Sequence, residues 1–267
     1  MKPYSALLRM RFIALLQYRT AAAAGLATQL FWGLIRVMIF EAFYSASPNR
    51  QAIPMNHAQL VSYVWLGQAL LGLLPWSIDR EMREKIRTGG VAYDLLRPMD
   101  LYFQWYFQAI ATRTAPTLLK SIPLFVVAGC FFGLKPPTSA PALVAWLGMT
   151  VLALLMNCAF SCLISISMMW TISGEGISRL APPVVYAFSG MMVPLPLMPA
   201  FMQPLLNALP FRNMVDVPFR IYSGQIPATL HHVIPAALHT TAWTAALLLS
   251  GRLMMQCGLR KLVVQGG

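Results

Sequence analysis

The chain has 267 residues, of which 58% are apolar and only 10% are charged. A soluble domain carries about 25% charged residues, so a soluble enzyme, a disordered regulator and a secreted disulfide scaffold are all poor candidates. Twenty Lys and Arg residues against eight Asp and Glu give a net charge of +12. In so apolar a chain this excess is typical of residues that flank membrane spans and meet anionic lipid, not of a nucleic-acid-binding surface.

Six stretches of the chain are long and apolar enough to cross a bilayer, which takes about 20 residues. They are residues 21–44, 58–78, 111–134, 142–170, 180–199 and 233–255, with prolines at both ends of the fifth. If the amino terminus is cytoplasmic, 13 Lys and Arg lie on the inner side and four on the outer side. Basic residues concentrate on the cytoplasmic side of membrane proteins. The pattern predicts an all-α polytopic membrane protein with six transmembrane helices and both termini in the cytoplasm.

Residues 1–20 precede the first span and read as a helix lying at the inner membrane surface. Tyr4, Leu7, Leu8 and Leu15 fall on one side of such a helix, although Arg11 interrupts the apolar stripe. The alternative is a cytoplasmic extension of the first span. We expect the whole chain, residues 1–267, to form a single transmembrane domain.

The common signatures of catalytic chemistry are missing from the sequence. None of the five lysines follows a glycine, so a phosphate-binding P-loop is excluded. The sequence has no HExxH zinc motif, no GxSxG nucleophile motif and no closely spaced aspartate pair for Mg²⁺. We therefore expect no catalytic residue, no metal site and no cofactor in this chain.

The densest charge lies in residues 79–100, between the second and third spans. Glu81 and Lys85 are four residues apart, as in a solvent-exposed helix, so we expect the second span to continue as a helix into the cytoplasm. Gly89 and Gly90 end that helix, and a short amphipathic segment follows, stopped by Pro98. The prediction is a small helix across the end of a long one, available to a cytoplasmic partner. The alternative is an ordinary charged loop that only fixes orientation.

The run of residues 86–98, IRTGGVAYDLLRP, resembles the glycine-then-LLRP segment of the type-two ATP-binding-cassette exporter permeases. Residues 189–195 (SGMMVPL), 198–199 (MP), 209–211 (LPF) and 223–224 (SG) also resemble that family, whose members often have a Ser-Gly, a proline-rich stretch and a Pro-Phe before the last span. The two regions and the six spans together cover nearly the whole chain.

The resemblance implies that six-helix subunits pair as dimers, with an identical or paralogous second permease. Each subunit docks on a separate nucleotide-binding ATPase chain, which holds the ATP and Mg²⁺. The loop between spans two and three acts as the coupling helix, with the amino-terminal helix packed beside it. The implied coupling residues are Arg83, Lys85, Ile86, Gly89, Gly90, Tyr93, Asp94, Leu95, Leu96, Arg97 and Pro98.

The same resemblance implies that residues 193–231 form short re-entrant helices that dip into the outer leaflet. Pro194, Pro196, Pro199 and Phe211 are the candidates for an outer gate. Irregular backbone at membrane depth survives only where it is buried in protein or lines a cavity, which an exit gate satisfies. A plain outer loop is the alternative. Asp216 is the one acidic residue of this segment, so no acidic gate residue can be assigned from the resemblance.

Six residues are candidates for the translocation path, each with a structural alternative. A charge inside a span costs at least about 2.5–3.5 kcal/mol, so Lys120 is expected either to contact an anionic head group of the cargo or to pair with a residue such as Glu41. A small, polar face of span four either lines the path or packs against a neighbouring helix. Two methionines offer an adaptable apolar surface or fill the core. The candidates are Lys120, Asn157, Ser161, Ser165, Met191 and Met192.

The sequence is thus expected to encode the permease subunit of an ATP-driven exporter in the bacterial cytoplasmic membrane. Few charges lie in the spans, so the expected cargo is amphipathic or apolar: a drug, or a lipid-like or peptide-like molecule. The expected partners are the ATPase, a second permease and membrane lipid, with no nucleic acid. A secondary carrier is the main alternative, although Glu41 is the only acidic residue in any span. A non-transporting membrane scaffold is the third hypothesis.

Overall fold

The computed structural model of the protein describes residues 2–47, 53–76, 79–170 and 175–260, and no β-strand occurs in these ranges. The helices are α1 (Lys2–Leu16), α2 (Arg19–Ala46), α3 (His57–Leu70), α4 (Arg80–Thr88), α5 (Val91–Leu95), α6 (Leu101–Phe131), α7 (Ala140–Ser167), α8 (Glu175–Phe188), α9 (Gln203–Ala208), α10 (Phe211–Met214), α11 (Asp216–Tyr222) and α12 (Leu230–Leu259). Short 3-10 turns lie at Leu71–Leu73, Met168–Trp170, Leu195–Leu197 and Ala200–Met202.

Four helices of the described residues are long and apolar enough to cross a membrane: Ala22–Ala46, Leu101–Phe131, Ala140–Trp170 and Leu230–Leu259. They correspond to the first, third, fourth and sixth predicted spans and make the chain a multi-pass membrane protein. The third predicted span, residues 111–134, is the helix Leu101–Phe131, which begins ten residues earlier than predicted. Its start is fixed by Asp100, whose Oδ1 accepts a hydrogen bond from the Phe103 amide at 3.1 Å.

The predicted second span is a shorter helix followed by a break. The 14 residues of α3 extend about 21 Å at 1.5 Å per residue, against a hydrocarbon core of about 30 Å. After the 3-10 turn, Leu74 is extended, with ψ at 154°, because Pro75 disfavours a helical residue before it. The expectation of one continuous helix from this span to Thr88 is therefore wrong. Residue 78, the predicted end of the span, lies outside the described residues.

The fifth predicted span also ends earlier than expected. Although 180–199 was the predicted range, α8 stops at Phe188 and the chain turns at Gly190. Gly190 has φ at +88°, and a Cβ built there would lie 2.5 Å from the Tyr63 hydroxyl, so only glycine fits this turn. The Met192 amide closes the turn by donating to the Tyr186 carbonyl at 3.3 Å.

The amino-terminal helix packs along the first half of α6. Tyr4 stacks on Phe107 with ring centroids 5.4 Å apart, and its hydroxyl accepts from the Asp100 amide at 3.0 Å. The prediction of a helix within residues 1–20 is confirmed. The side chains of its half-buried face are Tyr4, Leu7, Leu8, Arg11, Phe12, Leu15 and Leu16, so the arginine that interrupts the stripe points toward protein.

Contacts between distant segments define two ends of the helical bundle. At one end, which we call the α5 end, Asp100 bonds to Tyr4 of α1 and forms an ion pair of 3.2 Å with Arg252 near the end of α12. At the opposite end, which we call the far end, Gln225 donates to the Pro54 carbonyl at 2.9 Å. Helix α1 and the last turns of α12 thus lie at the same end as residues 79–100.

Candidate functional site

Residues 79–98 form two short helices joined by a glycine turn, which confirms the predicted small helix after Gly90, although the helix before it is not continuous with α3. Asp79 caps α4, its Oδ1 accepting from the Glu81 amide at 2.9 Å. Gly89 ends α4 in the left-handed conformation, with φ at +73°. The five-residue helix α5 then runs from Val91 to Leu95 and stops before Pro98. Local turn chemistry is sufficient to produce this arrangement.

Charged side chains hold α5 against α4. Asp94 is only 3% exposed, and its Oδ2 accepts from Lys85 Nζ at 2.8 Å. Lys85 also lies 3.0 Å from Glu81 Oε1, which confirms the predicted pair within α4. Val91, the first residue of α5, is completely buried. Among the predicted coupling residues, Lys85 and Asp94 therefore hold α5 against α4 through a largely buried ion pair.

Three large apolar side chains in and directly after α5 are left uncovered by the part of the chain that the structure describes. Tyr93 is 76% exposed, Leu95 53% and Leu96 83%. We call these three residues the α5 patch. Arg97 and Pro98 continue the exposed surface beyond the helix. Because large apolar side chains clustered outside the membrane-length helices are typical of docking surfaces, the α5 patch is the candidate contact with another chain.

The remaining predicted coupling residues surround this patch. Arg83 is exposed, Ile86 is half-buried and packs against the core, and Gly89 and Gly90 form the turn between the two helices. The structure thus brings the predicted coupling residues together and divides them into those that face outward and those that hold the turn.

Glu81 connects the α4–α5 unit to the rest of the protein. Both of its oxygens accept from Arg11 of α1, at 2.6 and 2.7 Å. Gln108 of α6 donates to Glu81 Oε2 at 3.1 Å and to Asp79 Oδ2 at 3.4 Å. The hydrogen bonds from Arg11 lower the pKa of Glu81 to about 2. Sequence analysis missed both partners, because nothing local relates residues 11 and 108 to residue 81.

We predict that the Arg11–Glu81 pair stabilises the fold by about 1 kcal/mol at neutral pH, since both side chains are partly exposed and solvent screens them. The pKa of Glu81 is lowered in the folded state, so this contribution is complete above the ordinary value of 4.5. It is lost as pH falls toward 2. A double-mutant cycle of Arg11→Ala and Glu81→Ala on the free energy of unfolding, at pH 7 and pH 3, measures it.

The matched control for that cycle is the surface pair Arg87–Glu84, whose atoms are 3.8 Å apart and whose side chains are 78% and 59% exposed. It should show a coupling energy near zero at both pH values. Equal coupling energies at pH 7 and pH 3 for Arg11–Glu81 would contradict the assignment.

A second polar cluster lies at the far end and centres on Asp216, which is 1% exposed. Its Oδ2 accepts from Arg220 Nη1 at 3.1 Å, and its Oδ1 accepts from the Leu195 amide at 3.2 Å. The Tyr63 hydroxyl lies 3.1 Å from the same Oδ1 and 3.0 Å from the Gly190 carbonyl oxygen. Asp216 thus ties together α3, the turn after α8 and the short helices. Its isolation in an otherwise acid-free segment was the only sequence signal for it.

The predicted gate residues lie in and beside the short helices of this end. Pro194 and Pro199 directly precede the 3-10 turns, and Pro196 lies within the first. Phe211 begins α10 and contacts Phe160 of α7, with ring centroids 5.9 Å apart. The predicted series of short helices in 193–231 is therefore present. Whether they dip into the outer leaflet stays a prediction.

The polar face of α7 is enclosed within this one subunit. Asn157 is completely buried, Ser165 is 1% exposed and Ser161 is 6% exposed. Arg113 of α6 donates to the Ser161 hydroxyl and to the Leu74 carbonyl, and thereby joins α6, α7 and the segment after α3. Both amide atoms of Asn157 are buried without a hydrogen-bond partner in the described part of the chain.

The remaining path candidates have different environments. Lys120 is half-buried against Gly25 of α2, where an added Cβ would lie 2.6 Å from its Cε. Glu41 instead lies 3.6 Å from His57 Nε2, so the proposed ion pair between Lys120 and Glu41 is wrong. Met191 is 2% exposed and belongs to the core, whereas Met192 is 57% exposed.

Comparison with known proteins identifies the family. A family model described as ABC-2 family transporter protein matches residues 55–266. No curated protein and no solved structure matches the chain. The matched range contains α3 to α12, the α5 patch and the Asp216 cluster, and the match confirms the resemblance seen in the two sequence regions. The chain therefore belongs to the ABC-2 family of transporter proteins, which are the membrane permease components of ABC transporters and not the catalytic ATPase.

Proposed function

We propose that this protein is the permease subunit of an ATP-driven exporter, powered by a separate ATPase that docks on α5. The observation that carries the proposal is the α5 patch, an exposed apolar surface on a helix that buried charges hold in place. Permeases of this family generally work with an ATPase subunit. The ATP and Mg²⁺ belong to that partner chain, and the cargo is an amphipathic or apolar molecule.

Docking at α5 requires a surface that does not change shape when the partner binds. The Lys85–Asp94 ion pair and the burial of Val91 fix α5 on α4. A preorganised surface loses little conformational entropy on binding, so its apolar area contributes more to affinity. Tyr93 would be the aromatic anchor, since large aromatic side chains dominate the energetics of many interfaces.

Movement of α5 would reach the membrane helices through side chains. The break before Asp79 prevents α3 and α4 from acting as one rigid helix. Glu81 instead links α4 to α1 through Arg11 and to α6 through Gln108. When ATP closes the two ATPase subunits, α4, α5, α1 and the start of α6 would shift together, and α6 would carry the displacement to the far end.

Six crossings remain the topology that we propose, with the α5 end in the cytoplasm. Residues 57–76 begin beside the far end, where Asn56 caps α3, and Leu74 meets Arg113 of α6 on the way to the α5 end. A helix, a 3-10 turn and an extended segment together would complete this crossing. The short helices after α8 would form the outer gate, and a second permease, identical or paralogous, would complete the pathway in the bacterial cytoplasmic membrane.

Site-specific photocrosslinking from α5 tests the proposal. Tyr93 is replaced by a photoreactive phenylalanine analogue, and the native complex is purified in mild detergent. On illumination, the analogue should crosslink the permease to a chain that carries a Walker ATPase motif. The matched control is the same analogue at Phe201, which is 81% exposed at the far end and should not reach that chain. Absence of any ATPase from both the purified complex and the Tyr93 adduct would favour a secondary carrier or a scaffold.

A further inference from the structure

A large cavity lies between α2, the end of α3, α8 and residues 192–193. Its volume is about 620 Å³, within the range of about 300–1,000 Å³ that is typical of ligand sites. Trp32, Trp76 and Tyr186 form aromatic walls, and the rings of Trp76 and Tyr186 lie 4.8 Å apart. The cavity ends at Met192 and Val193, directly before the proline-rich segment.

Arg36 places a cation in this apolar cavity. Nη2 of Arg36 donates to the Met191 and Met192 carbonyls, and the guanidinium stands 5.7 Å from the centre of the Tyr186 ring. A guanidinium has five N–H donors, and no described residue accepts a hydrogen bond from Nε or Nη1, so these atoms keep donors for another group. No carboxylate of the described residues lies within ion-pair distance of Arg36. An uncompensated cation at such a position is costly unless an anion or water meets it.

Two amide side chains of the cavity carry unused acceptors. Gln68 is 5% exposed, and its Oε1 has no hydrogen-bond partner among the described residues. The Oε1 of Gln29, also on the cavity wall, is buried without a partner in the same part of the chain. A buried acceptor that stays unsatisfied costs about 1–3 kcal/mol. A ligand that brings hydroxyl or N–H donors would satisfy both.

We infer that this cavity binds an acidic amphiphile whose head group also carries hydrogen-bond donors. The anion would meet Arg36, the donors would meet Gln29 and Gln68, and the apolar body would lie between the aromatic walls. This inference names the chemical class of the proposed cargo and so rests on the proposed export function. The same chemistry belongs to a single-chain molecule in transit and to an acidic bilayer lipid, and the experiment separates the two.

Tryptophan quenching in nanodiscs of phosphatidylcholine tests the inference with the full chain alone. The probes are dibromostearoyl lysophosphatidylglycerol and the matching lysophosphatidylcholine, which differ only in the head group. The acidic probe should quench at a concentration at least about tenfold lower, as expected for charge-assisted hydrogen bonds. The variant with Trp32→Phe and Trp76→Phe should lose this additional quenching.

Three variants test whether Arg36 causes the preference for the acidic probe over the lysophosphatidylcholine probe. Arg36→Gln should abolish it, Arg36→Lys should keep most of it because the positive charge remains, and Arg9→Gln, an equal charge change on the exposed face of α1, should leave it unchanged. Equal quenching by the two probes in the unmodified protein, or an intact preference in Arg36→Gln, would overturn the inference.

Diacyl phosphatidylglycerol with the same brominated chains identifies the source of the ligand. Stronger binding of the single-chain probe than of the diacyl probe supports a transported amphiphile as the ligand. If the diacyl probe binds as strongly or more strongly, the site still binds an acidic amphiphile, and its occupant is bilayer lipid. No ATPase is present in this assay. Absence of an ATPase from both the purified complex and the Tyr93 adduct would therefore reject ATP-driven export and leave the binding result standing. A failed binding experiment would likewise leave the crosslinking result standing.

Discussion

Replacing Tyr93 and Leu96 together with alanine is expected to abolish transport while the permease still folds. The two side chains are 76% and 83% exposed, so their loss removes little from the core. If both anchor the ATPase, the loss of about 3 kcal/mol of interface energy weakens docking by at least about 100-fold. The measurement is transport and ATPase activity of the reconstituted complex, together with the affinity between the two chains.

The matched control keeps the apolar surface of α5. Tyr93→Phe with Leu96→Met preserves size and hydrophobicity, and should retain both docking and transport. Intact transport in the double alanine variant would show that the α5 patch does not couple the motor to the permease. A shared loss of expression or of thermal stability in both double variants would also reject a purely docking role.

The largest expected effect on stability comes from Asp216→Asn. Removing one member of a buried ion pair typically costs about 3–5 kcal/mol, because the remaining charge stays buried. We expect about 3 kcal/mol, the lower end of that range, since Arg220 is partly exposed and keeps its 2.6 Å bond to Gln225. The free energy of unfolding in mixed micelles with increasing dodecyl sulfate is the measurement.

Asp100→Asn is a matched control on the same chain. Asp100 also pairs with an arginine, but the side chains of Asp100 and Arg252 are 33% and 50% exposed. Asparagine caps a helix as well as aspartate does, so this change should cost less than about 1 kcal/mol. Equal losses for the two variants would show that burial does not control the strength of the Asp216 pair. Adding Arg220→Met to Asp216→Asn should recover part of the stability, because no unpaired charge then remains.

Asp216 also positions the segment that we propose as the outer gate. Asp216 accepts from the Leu195 amide, which lies between Pro194 and Pro196, and it contacts Tyr63 of α3. The prolines remove amide donors from this segment, so the carboxylate supplies one of the few fixed points that position it. Because Asp216 lies in α11 and binds this segment, we expect the gate to move together with α11 as one rigid body.

Local chemistry was enough to predict where α4 and α5 end. A glycine at the end of α4 and a proline after α5 each act within a few residues, and α4 ends at Gly89 and α5 stops before Pro98, as predicted. The sequence-based prediction of span two failed because two local rules conflicted there. The apolar run of span two continues past Pro75, whereas in the structure α3 ends at Leu70, and Leu74, directly before the proline, is extended.

The sequence by itself determined that this chain is a polytopic helical membrane protein, because hydrophobicity adds along a stretch of chain and capping residues act on their neighbours. Its ABC-2 type was indicated separately, by the resemblance of residues 86–98 and 189–224 to that family, which the family match confirms. Only the tertiary structure decided the partners of the charges: Arg11 with Glu81, Asp216 with Tyr63 and Arg220, and Arg36 in its cavity. An ion pair or a cavity depends on which helices come within a few ångströms of each other. Many arrangements of the same apolar helices satisfy the same pattern of hydrophobicity, so that pattern cannot select among them.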